Sequence, residues 1–219
     1  MTQKMGDVGK KLIAFAVYEQ CTHCFRGSGT AFWAEISKVR KLLTAGHIPW
    51  PGIKDSRHNY SPSAEVLKVK WSTTGGMTGF GEANFIPHPC NCNSDSPLDY
   101  AVIEFLCHEN EPPGESFKID SSSPTIGQQV TAIGFPGSYD CKKTPSAKHT
   151  DGVVTVVGRP DIKVSGNACP GYSGGPAFKK LAGDQLDECV IGLMRGSFEN
   201  ENRDEEKNTF VLFGSPFFR

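Results

Sequence analysis

The rhythm of short apolar runs and turns constrains this chain's fold more than any other feature. Strand-like runs bounded by Gly, Pro, Asn, Asp or Ser cover Leu12–Tyr18, Gly29–Trp33, Val39–Thr44, Glu65–Trp71, Tyr100–Leu106 and Gln129–Phe135. They continue through Gly152–Val157, Ile162–Ser165, Pro176–Lys179, Cys189–Met194 and Thr209–Phe213. With no helical stretches between them, such runs predict an all-β antiparallel sandwich or barrel, not a parallel sheet with crossover helices. The 24 glycines and 15 prolines among 219 residues suit a chain that turns often. Glu111-Pro-Pro-Gly-Glu115, continued by Ser121-Ser-Ser-Pro124, is the best internal boundary. The expected organisation is a tail over residues 1–10, a first unit over 11–112, a linker over 113–124 and a second unit over 125–219, each unit long enough for one small barrel.

Charge and targeting signals narrow the partners. The 23 Lys and Arg against 24 Asp and Glu leave a net charge of −1, so no basic field exists for a nucleic acid partner. The apolar run Leu12–Val17 is shorter than the roughly 7–15 residues of a signal-peptide core, and no small-residue cleavage site follows. No run approaches the roughly 18 apolar residues of a membrane span. The expectation is a cytoplasmic chain with no membrane association, where thiols stay reduced.

The sharpest motif is Gly171-Tyr-Ser-Gly-Gly-Pro176. Glycines around a serine allow tight backbone geometry and let main-chain N–H groups point at a developing oxyanion. The same letters fit the nucleophile elbow of an α/β-hydrolase, but that fold needs its His after the Ser. All six histidines, at 23, 47, 58, 88, 108 and 149, precede Ser173. The subtilisin order needs an Asp before the His, and only Asp7 precedes His47. What remains is the order His, Asp, Ser. His47 ends the apolar run Lys41–Thr44 at an Ala-Gly-His turn, whereas His58, His108 and His149 sit in polar segments. Asp99 stands directly before the apolar run Tyr100–Leu106, where a carboxylate is shielded; Asp95 reads as a solvated turn residue.

Gly27-Ser-Gly-Thr-Ala-Phe32, Leu43-Thr-Ala-Gly-His47, Leu98-Asp-Tyr-Ala-Val-Ile103 and Pro170-Gly-Tyr-Ser-Gly-Gly-Pro176 together resemble the signature blocks of trypsin-like serine proteases. Thr131–Pro136 and Gly152–Gly158 resemble segments of the non-zymogen, bacterial-type branch, so the resemblance spans about residues 11 to 213, in order. It implies two antiparallel Greek-key six-stranded β-barrels with the active site in the cleft between them. It also implies Ser173 as nucleophile, His47 as general base and then acid, Asp99 as orienting carboxylate, and the N–H groups of Gly171 and Ser173 as the oxyanion hole. Asn167 matches the base of the primary substrate pocket, where a neutral amide forecasts neither a basic nor a strictly aromatic preference. Digestive members carry Asp before the nucleophile and an apolar Ile-Val-Gly-Gly start; Tyr172 and the Met1 start depart from both, so activation by N-terminal cleavage is not expected.

None of the family's usual disulfides maps onto the eight cysteines. Ile48 follows the His where many relatives have Cys, and Cys169 finds no partner in Gly196–Lys207. Cys107 and Cys189 are expected in apolar strands and read as small core residues. Cys21, Cys24, Cys90 and Cys92, with His88, offer soft ligands for a structural zinc, but unpaired surface thiols are the preferred reading, and no metal or cofactor is expected. Glu199–Lys207 carries five acids against two bases and reads as a solvated loop beside the pocket, where it would favour cationic peptides. The expected function is a serine endopeptidase acting on protein or peptide substrates, with a possible regulatory partner. The alternative is a catalytically silent relative serving as a protein-binding module.

Overall fold

In a computed structural model, described over residues 2–21, 23–50, 63–87, 99–120, 122–137, 144–158, 161–183, 185–197 and 209–214, the apolar runs form antiparallel strands. The first half contains β1 (Thr2–Lys4), α1 (Met5–Lys10), β2 (Leu12–Tyr18), β3 (Phe25–Ile36), β4 (Val39–Thr44), β5 (Glu65–Thr73), β6 (Thr78–Pro87) and β7 (Ala101–Phe105). After a 3₁₀ turn at His108–Asn110 come β8 (Phe117–Ile119), β9 (Gln129–Gly134), β10 (Lys148–Val157), β11 (Asp161–Ser165), β12 (Pro176–Lys180), β13 (Gln185–Ser197) and β14 (Thr209–Gly214). No helix among the described residues is long and apolar enough to cross a membrane.

Strands β3, β2, β5, β6, β7 and β4 pair in that order, and β3 pairs again with β4, closing a six-stranded antiparallel barrel. Alternation explains its wall. In β5, Leu67, Val69 and Trp71 are buried while Lys70 is exposed between them, the period of two that a half-buried strand requires. Phe15 and Phe85 stack inside with ring centroids 6.5 Å apart. β2 is buried at six successive positions, so both of its faces are covered. β6 was not anticipated, and its register shows why: Gly79 lies opposite Trp71, where a Cβ would collide with the indole. The strand is shaped by the ring it accommodates, and glycine in a strand carries no apolar signal.

In the second half, β12, β9, β10, β11, β14 and β13 pair in sequence, and β12 pairs with β13 as well as with β9. A separate cluster of Val130, Val154, Val164, Ile191, Met194 and Phe210 forms their core. The expected linker holds β8, which pairs in parallel with β3 on one side and β13 on the other. Its Phe117 ring lies against Phe32 of the barrel and Phe178 of β12. The expected tail is likewise structured: β1 pairs with β13, and Val8 of α1 is fully buried. Cys107 corrects the reading of it as a core residue. β7 ends at Phe105, so the apolar run outlasts the strand, and Leu106 and Cys107 are exposed. Cys189 is half-buried, with burial and the neighbouring Asp187 and Glu188 pushing its thiol pKa up.

Candidate active site

Antiparallel pairing places the first two candidate side chains. Thr44 at the end of β4 lies opposite Ala101 at the start of β7, so residues just beyond β4 and just before β7 share one rim of the barrel. His47 and Asp99 are those residues. His47 Nδ1 lies 2.7 Å from Asp99 Oδ2, and the His47 backbone N–H donates to Asp99 Oδ1 at 2.6 Å. The Asp99 side chain is fully buried and the His47 side chain is one-tenth exposed. Burial alone would push the Asp99 pKa up. The charge and hydrogen bonds of His47, with the nearby Arg195 charge, outweigh burial and hold the carboxyl below its ordinary value. An ionised carboxylate only accepts, so Nδ1 carries a proton, and in the neutral imidazole that leaves the Nε2 lone pair free to act as a base.

Ser173 lies in the turn leading into β12, and that turn is built by its glycines. Gly171 and Gly174 have φ of +98° and +84°, conformations that a side chain rarely adopts. A Cβ on Gly171 would meet the Phe135 carbonyl, and one on Gly174 would meet the Thr30 carbonyl and the Thr44 hydroxyl. The turn therefore docks against β3 and the end of β4, a few residues before His47. Two of its N–H groups are spent internally, Tyr172 on Cys169 O and Gly175 on Tyr172 O, and a third, Gly174, donates to Met194 O of β13. Among the described residues, the N–H groups of Gly171 and Ser173 find no acceptor. No hydrogen bond joins the Ser173 hydroxyl to His47.

Thr30, fully buried in β3, organises this docking, and sequence reasoning did not single it out. Its hydroxyl donates to Gly171 O at 2.9 Å and accepts from Phe135 N–H at 3.0 Å, while its backbone N–H donates to Ser173 O at 2.9 Å. Thr44 donates its hydroxyl to the Thr30 carbonyl at 2.9 Å. The signal lay in Gly27-Ser-Gly-Thr30, because glycines inside an apolar strand mark a close backbone approach. Gly29 faces Ser173 O, which a Cβ would approach to 2.7 Å. Tyr172 holds the other side of the turn. It is buried in the second core, burial raises its phenol pKa, and its hydroxyl donates to His149 O at 3.1 Å.

Arg195, at the far end of β13, was also missed. Its Nε lies 3.4 Å from Asp99 Oδ2, and its Nη1 donates to Asp161 Oδ2 at 2.7 Å. Asn167 is exposed, and Thr150 donates its hydroxyl to the Asn167 carbonyl. It lines a cavity of about 460 Å³ together with Asp151 and Lys180, and none of His47, Asp99 and Ser173 lines that cavity. A larger cavity of about 930 Å³, walled by Lys4, Met5, Lys10, Ile133, Ala147 and His149, also lies apart from those three residues. His108 is exposed, its Nδ1 2.7 Å from Glu111 Oε1. Cys21, Cys24 and Cys169 are exposed. His58, His88, Cys90, Cys92, Asp95 and the acidic segment 199–207 lie outside the described residues. Among the described residues no group of three or more His, Cys, Asp or Glu is placed to hold a metal.

No known family model matches the chain, and no curated protein does.

Proposed function

We propose that this chain is a serine endopeptidase of the trypsin-like type, with Ser173 as nucleophile, His47 as general base and then acid, and Asp99 as the orienting carboxylate. The observation that carries the reading is the buried Asp99 carboxylate gripping both the Nδ1 and the backbone N–H of His47. That grip fixes the tautomer that a general base needs. The docking of the Ser173 turn on Thr30 and Thr44 supports the rest. In the proposed reaction, His47 Nε2 takes the Ser173 proton as the oxygen attacks the scissile carbonyl. The N–H groups of Gly171 and Ser173 receive the oxyanion, and the imidazolium then protonates the leaving amine. Two Greek-key barrels complete the reading; the double pairing of β12 with β9 and β13 favours a second closed barrel. Contacts of Tyr172 and Thr30 on the nucleophile turn stand in for an N-terminal ion pair, so the reading needs no zymogen cleavage.

A second reading rests on the absent hydrogen bond between Ser173 and His47: a silent protease fold that binds proteins. Such bonds often form only with substrate in place. A fluorophosphonate probe separates the two readings. Labelling of the wild type but not of Ser173→Ala supports the endopeptidase, and no labelling of the wild type leaves the binding module.

A further inference from the structure

The proposed mechanism uses three side chains and leaves a fourth unexplained. Arg195 follows Met194, whose N–H and C=O bind Gly175 and Gly174 of the nucleophile turn. Its guanidinium approaches Asp99 Oδ2, the same oxygen that faces His47 Nδ1, and is held from behind by Asp161 of β11. His47, Asp99, Arg195 and Asp161 thus form a row in which basic and acidic groups alternate. Asp161 sits there at a cost, because its Oδ1 is buried without a hydrogen-bond partner among the described residues.

Resting on the serine protease reading, we infer that Arg195 is a positioning residue, which keeps Asp99 ionised against His47 and sets, with Asp161, the pH below which the site stops working. A fully buried carboxylate beside a neutral imidazole is an uncompensated charge, and a guanidinium, charged at every accessible pH, supplies the compensation. The same cation opposes protonation of His47 from solvent, because imidazolium and guanidinium would then share one carboxylate. Asp161 limits that opposition by placing a second anion behind the cation. Among the described residues, the charged side chains in contact with the Asp99–His47 pair reduce to Arg195 from β13, with Asp161 of β11 behind it. The adjacent Tyr100 phenol stays neutral, its pKa pushed up by burial.

The test is the acid limb of kcat/KM on a peptide substrate for the wild type, Arg195→Gln, Arg195→Lys and Asp161→Asn. It is paired with NMR titration of the His47 imidazole in a Ser173→Ala background, which needs no turnover. Arg195→Gln should move the limb and the titration midpoint up by roughly one pH unit. Asp161→Asn should move both down by less than that. Arg195→Lys, which keeps the charge but loses the planar fork, should keep the limb near that of the wild type while kcat falls several-fold. Equal or absent shifts for Arg195→Gln and Asp161→Asn would overturn the inference. Should Arg195→Gln not fold, an unmoved midpoint in Asp161→Asn alone is enough to reject it. A wild type that neither hydrolyses nor labels defeats the protease reading separately, and the NMR titration still decides the role of Arg195.

Discussion

The His47–Asp99 corner and the Ser173 turn are built by different means. The corner belongs to one closed barrel: β4 and β7 pair directly, and the two side chains follow from their ends. Two short hydrogen bonds to a buried carboxylate then fix it. The Ser173 turn belongs to the second half but takes part of its shape from outside that half. Thr30 of β3 binds the carbonyls of Gly171 and Ser173, while within its own half the turn is anchored by Tyr172 and by the two backbone hydrogen bonds between Met194 and Gly174 and Gly175. The His47–Asp99 pair is therefore part of a wall, whereas Ser173 is carried on a loop that the opposite wall helps to hold in place. Damage to the corner should act on the chemistry, and damage to Thr30 should act on alignment.

The largest effects should come from the residues of the proposed triad. Ser173→Ala and His47→Ala should each lower kcat by about 10⁶-fold, measured with a fluorogenic peptide and with the fluorophosphonate probe. Substantial turnover in Ser173→Ala would leave the comparison without a nucleophile. Asp99→Asn should follow at about 10⁴-fold, through the wrong imidazole tautomer. The same variant should show a distinct acid stability. Because the folded pKa of Asp99 lies below its ordinary 3.8, its ionised form stabilises the fold above that value, and the benefit disappears as pH falls further. The drop in Tm below about pH 4 should be shallower in Asp99→Asn than in the wild type.

Thr30→Val keeps the shape but removes the hydroxyl that serves both Gly171 O and Phe135 N–H. A drop of about 10–100-fold in probe labelling rate is expected, with about 1–3 kcal/mol of stability lost in urea unfolding. Thr30→Ser should restore most of the rate. An unchanged rate in Thr30→Val would show that the second half shapes its turn unaided. Tyr172→Phe gives up the single bond to His149 O, for about 1 kcal/mol of stability and roughly a five-fold slower labelling. If Tyr172→Phe costs more than Thr30→Val, the turn is held chiefly from within its own half.

Legibility in the sequence followed the source of each element's stability. β2 and β4 match the expected Leu12–Tyr18 and Val39–Thr44 because unbroken apolar runs carry their own signal. β6 did not announce itself, since its glycines exist to accommodate Trp71 and to pass Asn110. α1 has two glycines in six residues and is sustained by the burial of Val8, a tertiary fact. The placement of His47 and Asp99 was readable because strand ends adjoin turn residues. Arg195 was not, because a charge at the end of an apolar strand acquires meaning only when Asp99 and Asp161 arrive from elsewhere. Cys107 misled because an apolar run can continue beyond its strand.

β8 has a consequence for how the molecule opens. Its Lys118 is registered with Glu35 on one side and with Cys189 on the other, segments far apart along the chain. A three-residue strand cannot persist alone, so its amide protons stay shielded only while both neighbouring ladders survive. In hydrogen–deuterium exchange, Phe117–Ile119 should lose protection together with whichever ladder opens first. Three residues in mid-chain thus give a direct reading of the weaker link between the two halves.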